Sequence, residues 1–290
     1  GDMRPPPRHA GADAASVGRQ SLLRAVTAAA CVTAASHSSA AAATLAERMR
    51  SRDALALSKP IFNIAPAEAA YPEWFLGTWR ATMSFDGYEL PAKDLLTREE
   101  IFGEPTVPGL LKCSVAFIPD VGKEGVTFEM RWFRDGRGVV REDRSANLRS
   151  AIAGGLGYQA VERVEYMTDS GFGANPNRLS LVFIPGRTLN AERIELFANA
   201  REWESPVPDL FLESEYVRQV TFSSSRTSVP RQVSGEYAHF FTFRRVADEK
   251  IEGNVLTSAY TEPLQQERLF MKAATRPIIV FSHRLTLERE

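Results

Sequence analysis

The chain has 290 residues, with 35 Lys and Arg, 36 Asp and Glu, and a formal net charge of −1. Because no basic stripe is available to neutralise phosphates, the composition argues against a nucleic-acid-binding protein. The chain contains two cysteines, Cys31 and Cys113. A framework of disulfides therefore cannot be the basis of the fold.

The first 70 residues differ in composition from the rest. Basic residues outnumber acidic ones there by eight to five, and Ala and Ser are abundant. Such a segment can form a transient amphipathic helix but cannot bury a core. The run from Leu22 to Ala46 is apolar mainly through alanine and contains Arg24 and His37, so no transmembrane span is predicted. We predict a targeting segment over 1–70, disordered or removed, and a single β-barrel domain over 71–290.

A second address signal lies just before the predicted domain. Two overlapping Ala-x-Ala patterns end this weakly apolar stretch, and residues as small as Ala67 and Ala69 suit the pocket of a signal peptidase. Cleavage is expected near Ala69. The two parts together resemble a two-stage address that leads through the plastid to the thylakoid lumen. A chloroplast location is thus predicted, in the lumen rather than the stroma; a single-stage stromal or mitochondrial transit peptide and a disordered tail remain alternatives.

From Tyr71 onward the hydrophobic pattern has a period of 2, which is typical of half-buried strands. Apolar residues alternate with polar ones through Gly77, Trp79, Ala81 and Met83, and Asp86-Gly87 supplies a turn. The proline- and glycine-rich stretch 90–111 predicts a loop across one end of the barrel. A second strand is predicted over 112–118.

The clearest strand, at 126–133, is followed by a turn and by the one convincing helix. Asp143 can cap the free amides of a helix over 143–153, and Gly154-Gly155 is expected to end it. Two roles are open for this helix: a lid over a barrel mouth, or a flank that covers a sheet edge.

The rest of the sequence continues as a meander of strands. They are predicted over 160–167, 178–184, 193–201, 235–245, 251–260 and 277–287, while 213–220 suits either a strand or a helical turn. Nine or ten strands without intervening helices indicate an antiparallel sheet. The predicted fold is therefore mainly β, an antiparallel up-and-down barrel with one or two short helices and a disordered N-terminal extension.

The Gly-x-Trp pattern at Gly77 and Trp79 resembles the opening motif of lipocalin-like (calycin) barrels. That resemblance implies that Trp79 plugs the closed end of a barrel. It also implies that an arginine of the last strand, Arg284, packs its cation over the Trp79 ring.

A second resemblance is carried by three short motifs. Asp143-Arg144-Ser145-Ala146-Asn147, Pro176-Asn177-Arg178-Leu179 and Arg276-Pro277-Ile278-Ile279-Val280-Phe281 are similar to landmarks of an uncharacterised family of β-rich proteins shared by cyanobacteria and plastids. Ser145 departs from that pattern, in which a larger or more apolar residue is commoner. The resemblance implies a location in photosynthetic organisms and no particular reaction.

No catalytic residue, metal site or cofactor is predicted for the domain. His239 and His283 alternate with aromatic residues and are interpreted as hydrogen-bonded lining residues rather than metal ligands. Neither a nucleophile–base motif nor a phosphate-binding glycine loop is recognised, and carboxylates such as Glu129 and Glu195 are interpreted as members of cross-strand ion pairs. A binding protein is favoured over an enzyme.

The large inward side chains can line a cavity for one apolar molecule, such as a lipid, a pigment or a quinone. The candidate lining residues are Trp79, Met83, Phe128, Met130, Trp132, Phe183, Tyr237, His239 and Phe241. Alternatively, these rings simply fill the core.

A rival hypothesis assigns the protein a surface role. Phe133, Trp203 and Phe240 fall in the polar phase of their strands, where an exposed aromatic residue is suited to contact another subunit. The protein would then be an accessory or assembly factor of a photosynthetic membrane complex, with subunits of that complex as its partners.

Overall fold

A computed structural model describes residues 43–51, 57–58, 67–118, 125–166, 175–188, 191–225 and 228–290. In this part of the chain, ten antiparallel strands form a curled half-barrel with four short helices, which confirms the predicted fold class. Most of the predicted N-terminal extension lies outside the described residues.

The strands are β1 (Gly77–Glu89), β2 (Val126–Arg134), β3 (Val140–Glu142), β4 (Val161–Tyr166), β5 (Arg178–Phe183), β6 (Arg193–Val207), β7 (Leu210–Ser225), β8 (Ser228–Ala247), β9 (Lys250–Tyr260) and β10 (Ile279–Arg289). The helices are α1 (Leu45–Ser51), α2 (Arg98–Phe102), α3 (Arg144–Leu156) and α4 (Glu267–Phe270), and a 3-10 turn spans Glu73–Phe75.

The sheet is an up-and-down meander whose break lies in the middle of the chain. Each strand from β4 to β9 pairs with the next, β1 pairs with both β10 and β2, and β2 pairs with β3. The resulting order is β3-β2-β1-β10-β9-β8-β7-β6-β5-β4. Among the described residues no strand joins β3 to β4. The sheet therefore stays open at this seam.

Helix α3 lies across the seam and packs against both β2 and β4. Its side chains take over the hydrogen bonds that another strand would make with β2. Asn147 accepts from Arg131 N at 2.7 Å and donates to Arg131 O at 3.2 Å, while Ser150 Oγ accepts from Glu129 N at 2.8 Å. Helix α3 therefore covers a sheet edge, which is one of the two roles that the sequence left open.

Helix α3 does not end at Gly154-Gly155 but continues to Leu156, and Gly157 terminates it with a φ of 82°. Gly154 instead lies close against β2. A Cβ at this position would lie 2.7 Å from the carbonyl oxygen of Thr127 and 3.2 Å from Cβ of Phe128. The glycine is thus explained by packing rather than by helix termination.

Replacing Gly154 by alanine is expected to lower the free energy of unfolding by about 1–2 kcal/mol, because the added methyl pushes α3 off the sheet. In an open helix the same change would stabilise the protein by about 1 kcal/mol. Urea unfolding measures whether the free energy of unfolding falls or rises in Gly154→Ala. Gly136→Ala is the control, since no atom lies within 4 Å of its added Cβ. A Gly154→Ala protein more stable than the wild type would contradict this packing.

The predicted strand at 112–118 is wrong. This segment forms turns and bends, with Cys113 at a φ of 58°. The apolar residues of this segment alternate as in a strand, but its backbone is hydrogen-bonded to a side chain instead of to a neighbouring strand. The side-chain amide of Gln219, on β7, donates to Cys113 O at 2.6 Å, and its side-chain oxygen accepts from Ala116 N at 3.2 Å. Val115 and Ala116 are buried by this arrangement.

Trp79 lies fully buried at one end of the half-barrel, and its indole N–H donates to Phe75 O at 2.7 Å. The predicted cation partner, however, is wrong. Arg289 lies over the ring, 4.4 Å from its centroid, and it faces Trp79 directly across the β1–β10 pair. Arg284 pairs with Ser84 in register and its side chain is 69% exposed, 3.4 Å from Asp86. Strand alternation puts Arg284 on the outer face and Arg289 on the inner one.

Gly77 belongs to the same end of the half-barrel. Its φ is 118°, and a Cβ there would lie 3.0 Å from Nη1 of Arg289. That nitrogen donates to Leu76 O at 2.8 Å. Gly77 therefore leaves room for the arginine that covers Trp79.

Parts of the predicted targeting segment contact the domain. Leu45 of α1 and Leu57 are buried in a cluster with Phe240 on the outer face of the sheet. Phe240, expected to be exposed, is fully buried beneath them, whereas Phe133 and Trp203 are 48% and 37% exposed.

Candidate functional site

A cavity of about 70 Å³ lies inside the half-barrel, beside the seam. One part of its wall is apolar and is formed by Phe117, Met130, Trp132, Leu148, Leu179, Leu196, Val217, Phe241 and Phe243. The other part carries polar and charged groups from Tyr71, Glu142, Arg144, Tyr166, Glu213, Glu215, Tyr237 and His239. Arg178, whose side chain is 52% exposed, also contributes to the wall.

Five of the nine predicted lining residues border this cavity: Met130, Trp132, Tyr237, His239 and Phe241. The other four are packed in the core. Trp79, Met83 and Phe128 belong to the cluster around the β1–β2 pair, and Phe183 belongs to one around β5 and β6. Trp79 is paired in register with Met130, yet only Met130 borders the cavity. Alternation assigns a residue to the inner face but does not show whether it packs in the core or borders a cavity.

Two of the three sequence landmarks meet at the cavity. Arg144, from the first motif, and Pro176, Asn177 and Arg178, from the second, all contribute to its wall. The third motif lies elsewhere: Arg276 donates to Asp94 at 2.9 Å.

The charged wall follows from strand alternation on β7. Phe211, Glu213, Glu215 and Val217 occupy alternate positions and are buried. Arg201 of β6 stands opposite Glu215 in register, and Glu142 ends β3 just before α3 begins. Sequence reasoning missed Glu213 and Glu215 because they fall in the ambiguous stretch 213–220. Their inward phase, shared with Phe211 and Val217, is the signal that could have identified them.

Glu215 holds both buried guanidinium groups. Arg144 donates to its two oxygens at 2.8 and 2.9 Å, a bidentate pair, and Arg201 donates to it from a second side. Burial alone would raise the pKa of Glu215, but the charges of Arg144 and Arg201 outweigh it and hold the pKa well below its usual range. Glu215 is therefore ionised at neutral pH.

Glu213 has a different environment. The hydroxyl of Tyr71 donates to it at 2.6 Å, and Nε of Arg201 is 4.0 Å away. Burial, followed by the nearby charges of Glu142 and Glu215, raises the pKa of Glu213 to about 7. Three carboxyl groups thus share two guanidinium groups, and a proton resides on the wall for much of the time at neutral pH.

His239 and His283 are neutral at pH 7. Nδ1 of His239 lies 2.9 Å from Thr257 Oγ1, and burial lowers the pKa of His239 to about 4. His283 lies off the cavity, fully buried, and burial also lowers its pKa to about 4. Within the described ranges, no group of three or more His, Cys, Asp or Glu is arranged to hold a metal ion.

The predicted cleavage residues lie at the edge of this charged wall. The carbonyl oxygen of Ala67 accepts from Arg201 at 2.8 Å, and that of Ala69 accepts from Arg141 at 2.9 Å. Ala69 is buried. Cleavage there stays a prediction, and it would remove the contact between Arg201 and Ala67.

The comparisons with known proteins identify one family. A family model described as "Domain of unknown function (DUF6816)" matches residues 63–290. No curated protein and no solved structure matches the chain. None of the helices in the described residues is long and apolar enough to cross a membrane.

Proposed function

The chain belongs to the family of the domain of unknown function DUF6816, and we propose that it binds a small, largely apolar molecule in the cavity of its half-barrel. The observation that carries this proposal is the cavity wall, which is apolar and aromatic over one part and has a few polar groups converging on the other. This is the usual composition of a small-molecule site.

The volume limits the ligand. The cavity measures about 70 Å³, which is far less than a whole lipid, pigment or quinone occupies. A small head or a single ring is therefore the part of a ligand that the cavity encloses. The bulk of a lipid, pigment or quinone would extend past Arg178 toward the surface.

Protein purified without denaturation is expected to release a small organic molecule on extraction, or otherwise to bind toluene as an apolar probe. Val217 borders the cavity, so Val217→Phe fills the space and should abolish binding. Val207→Phe, at a position 48% exposed, should bind as the wild type does. Mass spectrometry of the extract and calorimetry with toluene make the measurement. An empty extract together with no toluene binding would contradict the proposal.

We propose a plastid location, in the thylakoid lumen rather than the stroma, on the composition of residues 1–70 and on the Ala-x-Ala patterns. Sequencing the N-terminus of the protein from the organelle tests it. A start near Tyr71 supports the lumen, and a start within the first 40 residues argues for the stroma.

The accessory-factor alternative depends on surface contacts. Phe133 and Trp203 are exposed and available for such a role, while Phe240 is buried. Crosslinking in isolated thylakoids tests this alternative. Reproducible links to photosystem subunits through Phe133 or Trp203 would favour it over ligand binding.

A further inference from the structure

The guanidinium groups around the cavity are all engaged. Arg144 and Arg201 donate to Glu215, and Arg178 donates to Glu195 at 3.0 Å. An anionic ligand would therefore find no available cation among the described wall residues, and it would face the carboxyl groups of Glu142, Glu213 and Glu215.

Two carboxyl groups of the wall are without a guanidinium partner at hydrogen-bond distance in the described structure. Glu213 is bonded to the hydroxyl of Tyr71, and Glu142 accepts from the amide of Asn147 at 3.1 Å. Glu213 is 5% exposed. The buried cluster of Glu142, Glu213, Glu215, Arg144 and Arg201 thus has one more carboxyl group than guanidinium groups, in surroundings that water scarcely reaches.

His239 provides an independent sign that the wall is incomplete without a ligand. The residue is 4% exposed and lines the cavity. Its Nδ1 is bonded to Thr257, while Nε2 has no hydrogen-bond partner among the described residues. The polar atoms of a buried side chain normally have partners, and a bound molecule can supply one to Nε2.

Aromatic rings surround these groups. Tyr71, Trp132, Tyr166, Tyr237 and Phe241 all line the cavity. Ring faces attract organic cations, and cages of such rings recognise quaternary ammonium groups. Carboxyl groups and ring faces are therefore combined in one small space.

We infer that the cavity takes the ammonium head of an organic cation, held between Glu142, Glu213 and the surrounding aromatic rings. This inference rests on the proposed function and names the polar end of its ligand. A trimethylammonium group has no N–H, so the partner of His239 Nε2 would be a hydroxyl such as that of choline, and any apolar substituent would lie toward Arg178.

Three probes with a similar trimethyl head test the inference by calorimetry at pH 8: choline, its neutral isostere 3,3-dimethyl-1-butanol, and the smaller anion pivalate. Choline should bind at least tenfold more tightly than the alcohol, and pivalate most weakly. Equal or tighter binding of the alcohol or pivalate overturns the inference and leaves the proposed function intact. If none of the three probes nor toluene binds, both fail.

A variant provides a second measurement. Glu213→Gln should weaken choline binding about tenfold and leave binding of the alcohol unchanged. The control is Glu252→Gln on the outer face, where Glu252 is 57% exposed beside Lys250; it should alter neither affinity. Unchanged choline binding in Glu213→Gln would count against the inference, and the comparison of probes on the wild type does not depend on how the variant folds.

Free amines and amphiphiles share this head group. Binding of dodecyltrimethylammonium, measured below its critical micelle concentration, distinguishes these two classes of ligand. Binding at least tenfold tighter than that of choline identifies an amphiphile as the ligand, and equal binding identifies a free small amine. Either result supports the inference, whereas weaker binding than that of the uncharged 1-dodecanol overturns it.

Discussion

Replacing Arg201 by methionine is expected to lower the free energy of unfolding by about 3–5 kcal/mol at pH 8, because a buried ion pair that loses one partner leaves an uncompensated charge. The Arg201 side chain is 1% exposed, and it donates to both Glu215 and the carbonyl of Ala67. After the change, three buried carboxyl groups share Arg144 alone. Urea unfolding followed by circular dichroism measures the loss.

Arg245→Met is the matched control. Arg245 also pairs with a carboxylate, Asp209 at 2.6 Å, but the two side chains are 36% and 51% exposed. Exposed pairs contribute about 0–1 kcal/mol, so this variant should change little. The Arg201→Met effect should shrink at pH 5, where Glu213 is protonated. If Arg201→Met lowers the free energy of unfolding at pH 8 no more than Arg245→Met does, then Arg201 does not compensate the buried carboxyl groups as described.

Replacing Glu213 by glutamine is expected to stabilise the protein at pH 8 and to leave its stability nearly unchanged at pH 4.5. The pKa of Glu213 is raised from 4.5 to about 7 in the folded state, first by burial and then by Glu142 and Glu215. The folded protein therefore binds more protons than the unfolded chain between these pH values. The stability from this group is present below pH 4.5 and is lost as the pH rises through 7.

The size of this effect follows from the shift, which corresponds to roughly 3 kcal/mol between pH 4.5 and 8. The charged and titratable groups that face Glu213 are Tyr71, Glu142, Glu215 and Arg201, and all are kept in the variant. Unfolding free energies of the two proteins, measured at several pH values, give the difference. If the difference does not vary with pH, Glu213 is ionised like an ordinary carboxylate.

The histidines act in the opposite direction. Burial lowers the pKa of both His239 and His283 to about 4. Their contribution to stability is present above the unfolded pKa of 6.5 and is lost as the pH falls through 4. Both residues occur in the wild type and in Glu213→Gln, so their effect cancels in the difference.

The strands were predictable because alternation fixes which side of a sheet a residue occupies. The same alternation correctly placed Met130, Trp132 and Phe241 on the inner face, where they border the cavity. It could not predict that Trp79 packs in the core while Met130, its partner across the β1–β2 pair, borders the cavity. That depends on how side chains from distant strands fill the interior, which alternation along one strand does not describe.

Two features could not be predicted from the local sequence pattern. The segment 112–118 has strand-like alternation, but its hydrogen bonds go to the side chain of Gln219, more than 100 positions away. The charged wall brings Glu142, Arg144, Arg201 and Glu215 together from β3, α3, β6 and β7. The motif around Arg144 was singled out from the sequence, although its partner Glu215 was not.

The pairing of β1 with β10 has a consequence for how the chain reaches this fold. Trp79 and Arg289 face each other although they are about 200 positions apart, so their contact closes nearly the whole domain into a loop. Contacts of this range slow folding, because the loop must be ordered before they can form. During synthesis β1 would lack its partner β10 until that last strand leaves the ribosome. The interval before release would leave the edge of β1 accessible to chaperones and to aggregation.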